Sequence, residues 1–158
     1  MTYIKGELQD RDYRIGIVVS RWNQEITFAL ERGARRALLA FGCSNDRIDT
    51  IEVPGAFEIP VVLETLARTG KYHGLVALGC VIKGETTHFE HVSEAAMKGT
   101  YDVAMRHAIP VGCGVLTTYT PDQAAERAQD NDENKGSEAA LAVLETLSIL
   151  GSIKDQIH

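Results

Sequence analysis

Residues 74–82, Gly-Leu-Val-Ala-Leu-Gly-Cys-Val-Ile, form an uninterrupted apolar run. A strand that is apolar without alternation is buried on both faces, so it needs a layer of structure on each side of its sheet. The rest of the chain supplies those layers. Short β-branched runs at 15–19 and 48–53 predict two more strands, and 110–116 predicts a fourth. Between them lie helical segments. Residues 24–41 carry Ile26, Leu30, Ala34, Ala37, Leu38 and Phe41 on one face, and Gly42 stops them. Residues 57–68 follow, with Pro60 tolerated in the first turn and Gly70 at the end. Residues 86–107 form a long helix. Thr120 and Pro121 read as N-cap and first position of a short helix ending at Arg127. A polar turn, 129–134, leads to a last helix, 136–150.

Strict alternation of strand and helix predicts an α/β fold with a parallel sheet, and right-handed crossovers put helices on both faces. The expected architecture is a three-layer α/β/α domain with a four-stranded parallel sheet, flavodoxin-like. The 158 residues suit one domain, with residues 1–11 as a flexible arm or a strand donated to a neighbour. A net charge of −6 argues against nucleic-acid binding. Cys43, Cys80 and Cys113 show no zinc-finger spacing and read as reduced intracellular thiols. Cys80, inside the apolar run, is expected to be buried packing. Residues 1–14 lack the apolar core of a secretory signal, and the run at 75–82 is too short to span a bilayer. A cytoplasmic protein with no membrane partner is expected.

Open parallel sheets bind ligands beyond the carboxyl ends of their strands. Those ends carry residues 20–23, 53–58, 81–88 and 113–118, and every unusual cluster of this chain falls at one of them. The third end, Gly79-Cys80-Val81-Ile82-Lys83-Gly84-Glu85-Thr86-Thr87-His88, runs from a buried strand through a Gly turn into a helix start. Free amides there can bind an anion, and His88 beside them can move protons. A phosphorylated small molecule is the first hypothesis. The bland alternatives are a capping histidine and structural Thr caps. A metal reading would join His88, His91 and Glu85 or Glu94, but there is no HExxH pattern and no second cluster to complete a shell. No metal is expected. The Walker A spacing is absent, and Gly112-Cys113-Gly114 lacks the third glycine of a dinucleotide fingerprint.

The other ends add to this. Trp22-Asn23 offers either a stacking platform with an amide beside it or core packing under a loop. Gly55 would let backbone approach a ligand. Glu58 either accepts hydrogen bonds from a polyhydroxy or amine substrate or complements a helix dipole. Arg127 and Lys135, beyond the fourth strand, are either solvated charges or a source of positive charge for phosphate.

Taken together, Arg21-Trp22-Asn23, residues 53–60 (Val-Pro-Gly-Ala-Phe-Glu-Ile-Pro), 79–92, Gly114-Val115-Leu116-Thr117-Thr118, Glu126-Arg127-Ala128 and Asn134-Lys135-Gly136 resemble the lumazine synthase family. The resemblance runs from about Tyr13 to the end. It implies condensation of 5-amino-6-(ribitylamino)uracil with 3,4-dihydroxy-2-butanone 4-phosphate, the penultimate step of riboflavin biosynthesis. The products are 6,7-dimethyl-8-ribityllumazine, phosphate and water, and no metal or organic cofactor takes part. By that resemblance Trp22 stacks on the pyrimidine, and Asn23, Ala56 and Glu58 hold the ribityl chain and ring edge. Val81 and Ile82 touch the heterocycle through their backbone. Glu85, Thr86 and Arg127 hold the phosphate, His88 transfers protons, and Lys135 lines the pocket with Glu138 as an ion-pair partner. The family forms homopentamers, in some members twelve of them closing into a sixty-subunit shell, with sites between neighbouring subunits.

Three positions depart from the family pattern. Cys113 stands where many members carry an aromatic ring over the substrate, Trp22 where Phe is common, and the acidic 129–133 stretch where a basic, Gly-containing one is usual. Two other functions compete with the synthase. A binding module could keep the pocket without turnover. A flavodoxin-like regulatory domain would need an acidic cluster after the first strand, and Ser20-Arg21-Trp22 has none.

Overall fold

A computed structural model describes residues 2–156. Its element order is β1 (Ile15–Ser20), α1 (Gln24–Ala40), β2 (Ile48–Val53), α2 (Ile59–Arg68), β3 (Gly74–Ile82), α3 (His88–His107), β4 (Val111–Thr118), α4 (Pro121–Arg127) and α5 (Lys135–Gln156). Short 3-10 turns, Asn45–Arg47 and Ala56–Glu58, precede β2 and α2. The sheet runs β2-β1-β3-β4 with every pair parallel, in registers Ile15↔Ile48, Ile15↔Gly74 and Leu75↔Val111.

Side-chain alternation sorts the core into two layers. Ile15, Ile17 and Val19 of β1 and Val76, Leu78 and Cys80 of β3 pack under α1 and α5 with Leu30, Leu38, Val143 and Leu144. Val18, Leu75 and Ala77 point the other way, onto Ile59 and Leu63 of α2 and Ala96 and Val103 of α3. The three-layer flavodoxin-like α/β/α arrangement read from the sequence is therefore the observed one. β1 is buried along its whole length, while edge strand β2 alternates and shows its charged side chains.

Several boundaries differ from the sequence reading. The helix expected from residue 57 begins only at Ile59, because the segment before it closes a 3-10 turn in which the Glu58 N–H donates to the Gly55 carbonyl at 3.2 Å. The helix expected from residue 86 begins at His88. β4 runs on through Thr117 and Thr118, which pair with Val81 and Ile82 of β3. α5 continues past residue 150, through Gly151 to Gln156.

The last helix, α5, is long and apolar enough to cross a membrane by length and composition alone. Its buried face, Ala139, Ala140, Val143, Leu144 and Leu147, is spent on the core beneath α1, so it is a core helix here. Met1 of the N-terminal arm lies outside the described residues, as do positions 157 and 158 of the single domain expected over 1–158. From Thr2 to Asp10 the arm has no regular structure and lies against its own chain. The Glu7 N–H donates to Ser148 Oγ at 3.0 Å and the Asp10 N–H to the Phe41 carbonyl at 3.0 Å. The Asp10 carboxylate accepts the Asp12 and Tyr13 N–H groups, each at 3.0 Å.

Candidate functional site

Three strand exits converge on one cavity of about 840 Å³. The first exit is held by backbone bonds that extend the sheet: the Arg21 N–H donates to the Val53 carbonyl at 2.8 Å, and the Trp22 N–H to the Pro54 carbonyl at 3.1 Å. Asn23 then turns the chain in the left-handed region, φ 63°, which Asn tolerates better than most residues. Its Nδ2 donates to the Cys80 carbonyl at 3.0 Å, pinning the turn to β3. Trp22 is left 73% exposed. That rules out core packing and leaves a flat indole at the cavity wall.

The second exit brings Pro54, Gly55, Ala56, Phe57 and Glu58 to the same cavity. The third brings Val81, Ile82, Gly84 and Thr86. A Cβ at Gly84 would meet nothing, so the turn there is open. Thr86 Oγ1 accepts the His88 N–H at 3.3 Å, and no side chain caps α3 from Thr87. His88 occupies the first helical position and is exposed to the cavity. Unsatisfied amides of the first turn thus sit at the rim beside an imidazole, an arrangement able to hold an anion and exchange protons. Glu85 is exposed in the same turn but does not line the cavity.

Sequence reading missed part of the wall. Phe57, 64% exposed, and Phe89 and Val92 complete the apolar lining. Their only sequence signal was adjacency to motif residues. Cys80 also reaches the cavity, but it is 3% exposed and burial pushes its thiol up to about 11, so it stays protonated and inert. His88 and His91 both line the cavity, yet among the described residues no group of three His, Cys, Asp or Glu could hold a metal ion.

Cys113, Arg127 and Lys135 lie elsewhere. They line a separate cleft of about 400 Å³ formed by β4 and the start of α5, together with Thr117 and Glu138. Arg127 Nη1 donates to the Gln123 carbonyl at 2.9 Å, and Lys135 Nζ meets Glu138 at 2.8 Å. Cys113 is exposed, with its Sγ 3.5 Å from Met97 Sδ. Within one chain, therefore, Trp22, Asn23, Ala56, Glu58, Val81, Ile82, Thr86 and His88 come together, and the two cations and Cys113 form a second group.

The family model for 6,7-dimethyl-8-ribityllumazine synthase matches residues 12–151. "6,7-dimethyl-8-ribityllumazine synthase 1" of Caulobacter vibrioides is 50% identical over 142 residues, 90% of this chain and 93% of the relative. The 6,7-dimethyl-8-ribityllumazine synthase of Xylella fastidiosa (strain 9a5c) is 45% identical over 150 residues, 95% of this chain and 97% of the relative. That of Xanthomonas oryzae pv. oryzae (strain PXO99A) is 42% identical over 150 residues, with the same coverage. Similarity at this level spans both concavities and all four strand ends, and on that ground the chain belongs to the 6,7-dimethyl-8-ribityllumazine synthase family.

Proposed function

We propose that this chain condenses 5-amino-6-(ribitylamino)uracil with 3,4-dihydroxy-2-butanone 4-phosphate to give 6,7-dimethyl-8-ribityllumazine, phosphate and water. The observation that carries the reading is the single cavity joining an exposed indole, a carboxylate and a helix-start imidazole at three strand exits. Trp22 stacks on the pyrimidine, with Phe57 beside it. Asn23, Ala56 and Glu58 hold the ribityl chain and ring edge, and the backbone of Val81 and Ile82 reads the heterocycle. The amine attacks the ketone and water leaves, giving an imine. Tautomerisation expels phosphate, and attack of the ribityl-bearing nitrogen on the remaining carbonyl closes the ring with loss of a second water. These steps are additions, eliminations and proton transfers, so no redox partner or organic cofactor is required. His88 moves the protons, and most of the gain comes from holding two reactants in register.

The phosphate is held by the amides of Glu85 and Thr86 together with Arg127, and Lys135 and Cys113 cover the heterocycle. Because Arg127, Lys135 and Cys113 line a different concavity from His88, they act on the cavity of an adjacent chain. A cyclic assembly of copies follows, which we assign as a pentamer able to build the larger shell of twelve, working in the cytoplasm. Uncovered Met97, Tyr101 and Met105, spaced along one side of α3, support an interface between copies. Sedimentation at micromolar concentration tests it; a monomer there overturns the shared site.

Turnover is tested by mixing the protein with both substrates and following lumazine fluorescence against the uncatalysed background. Product formation whose KM for the phosphorylated substrate rises in Arg127→Ala supports the synthase and its phosphate site. Binding of the ribityl substrate without product would convert the reading to a non-catalytic module.

A further inference from the structure

Asn134 precedes Lys135 and closes the turn that leads away from Arg127, yet it touches neither cavity nor cleft. Its side chain is 1% exposed and uses every hydrogen-bonding position of the amide. Nδ2 donates to the Gln129 carbonyl at 3.0 Å and to the Ala29 carbonyl at 3.3 Å. Oδ1 accepts the Gly136 N–H at 2.9 Å and the Ser137 N–H at 3.1 Å. One amide therefore grips the turn two residues after Arg127, caps α5 one residue after Lys135, and ties both to α1. The surroundings leave no slack. A Cβ at Gly33 would run into the Asn134 amide, and one at Gly136 would run into the Leu30 carbonyl. Residues 129–133 are otherwise exposed and bury no apolar side chain of their own.

We propose that Asn134 is a positioning residue that sets the spacing of Arg127 and Lys135 and so tunes the affinity for the phosphorylated substrate. The inference rests on the assignment of Arg127 and Lys135 to the synthase site. It goes beyond it by naming the group that holds them.

The variants separate the two halves of the amide. Asn134→Asp keeps the helix cap but deletes both donors and sets a carboxylate oxygen against two carbonyls. Asn134→Ser keeps a cap too short to reach Ala29 or Gln129 and covers the case in which the aspartate fails to fold. Thermal melts and steady-state kinetics are measured for each, alone and with Arg127→Ala. The expected result is a folded protein whose KM for 3,4-dihydroxy-2-butanone 4-phosphate rises about tenfold while kcat stays within about threefold. In the Arg127→Ala background the same substitution should add less than about twofold to this KM, because the phosphate-holding cation it positions is gone and Lys135 serves the heterocycle. A lowered melting temperature with unchanged KM makes Asn134 merely structural and overturns the proposal. So does a tenfold KM effect that survives in Arg127→Ala. If wild type turns over and Arg127→Ala leaves that KM untouched, the phosphate assignment itself is at fault and the proposal falls with it.

Discussion

The cavity at the carboxyl ends of the strands and the cleft beside β4 are built in opposite ways. The cavity stands on the exits of β1, β2 and β3, which are cross-tied to one another and to β4: Arg21 to Val53, Asn23 to Cys80, Lys83 to Thr118. Its lining is mostly apolar, with one carboxylate and two imidazoles. The cleft hangs on an edge strand and a turn, and each of its cations bonds within its own helix or helix end. The indole, the carboxylate and the two imidazoles thus meet within one chain. The cations of the cleft lie apart from that group. In our reading, assembly joins the stacking wall and His88 of one chain to the cations and Cys113 of the next.

The largest test of that division is His88→Ala. It should lower kcat by about 10²–10⁴-fold while KM for the ribityl substrate changes little. A kcat near wild type would remove His88 from the chemistry. Next, subunits of His88→Ala and Arg127→Ala, each impaired alone, are unfolded together in equal amounts and co-assembled. A site drawing on two adjacent chains finds both intact halves about one time in four, so about a quarter of wild-type activity should return. No recovery would mean that each chain's cations serve its own cavity. Trp22→Ala should raise KM for the ribityl substrate about tenfold, and Trp22→Phe should recover most of it. Equal KM values in all three proteins would end the stacking role.

The smallest effect concerns the scaffold beneath both regions. Glu64 of α2 is held down to about 2, first by its hydrogen bond from His107 and then by those from Arg106 and Arg68. A carboxylate held low in the fold stabilises it fully above its ordinary range near 4.5, and that contribution is lost as pH falls toward 2. Melting temperature should drop across that window, and drop less in Glu64→Gln. Identical acid sensitivity in the two proteins would show that the α2–α3 tie does not matter to stability.

The sequence made β2, β3 and the cap of α4 legible to the residue. A continuous apolar run, a Pro-Gly stop and a Thr-Pro pair are local signals with a single physical meaning. The Thr120 hydroxyl accepts the Gln123 N–H at 3.2 Å, as its position implied. Trp22 was ambiguous because an indole packs as readily as it stacks, and only its exposure decides. The separation of Arg127 from His88 was invisible. It depends on the two residues lining different concavities, which no spacing along the chain records. Asn134 was equally hidden, since its partners Ala29 and Gln129 are used through their carbonyls, which every residue possesses.

Strand order also bears on how this chain comes to be made. β1 precedes the other three strands of its sheet along the chain, yet it ends between β2 and β3 and is buried on both faces. Its second edge stays unpaired until residue 78 has emerged, and the apolar layer it shares with α1 stays incomplete until α5 has been synthesised. At roughly 5–20 residues per second, that leaves sticky β-branched surface bare for several seconds in every round of translation. Release lacking α5 would extend that interval indefinitely, so α5, which follows every strand of the sheet, is also the helix that ends its exposure to misassembly.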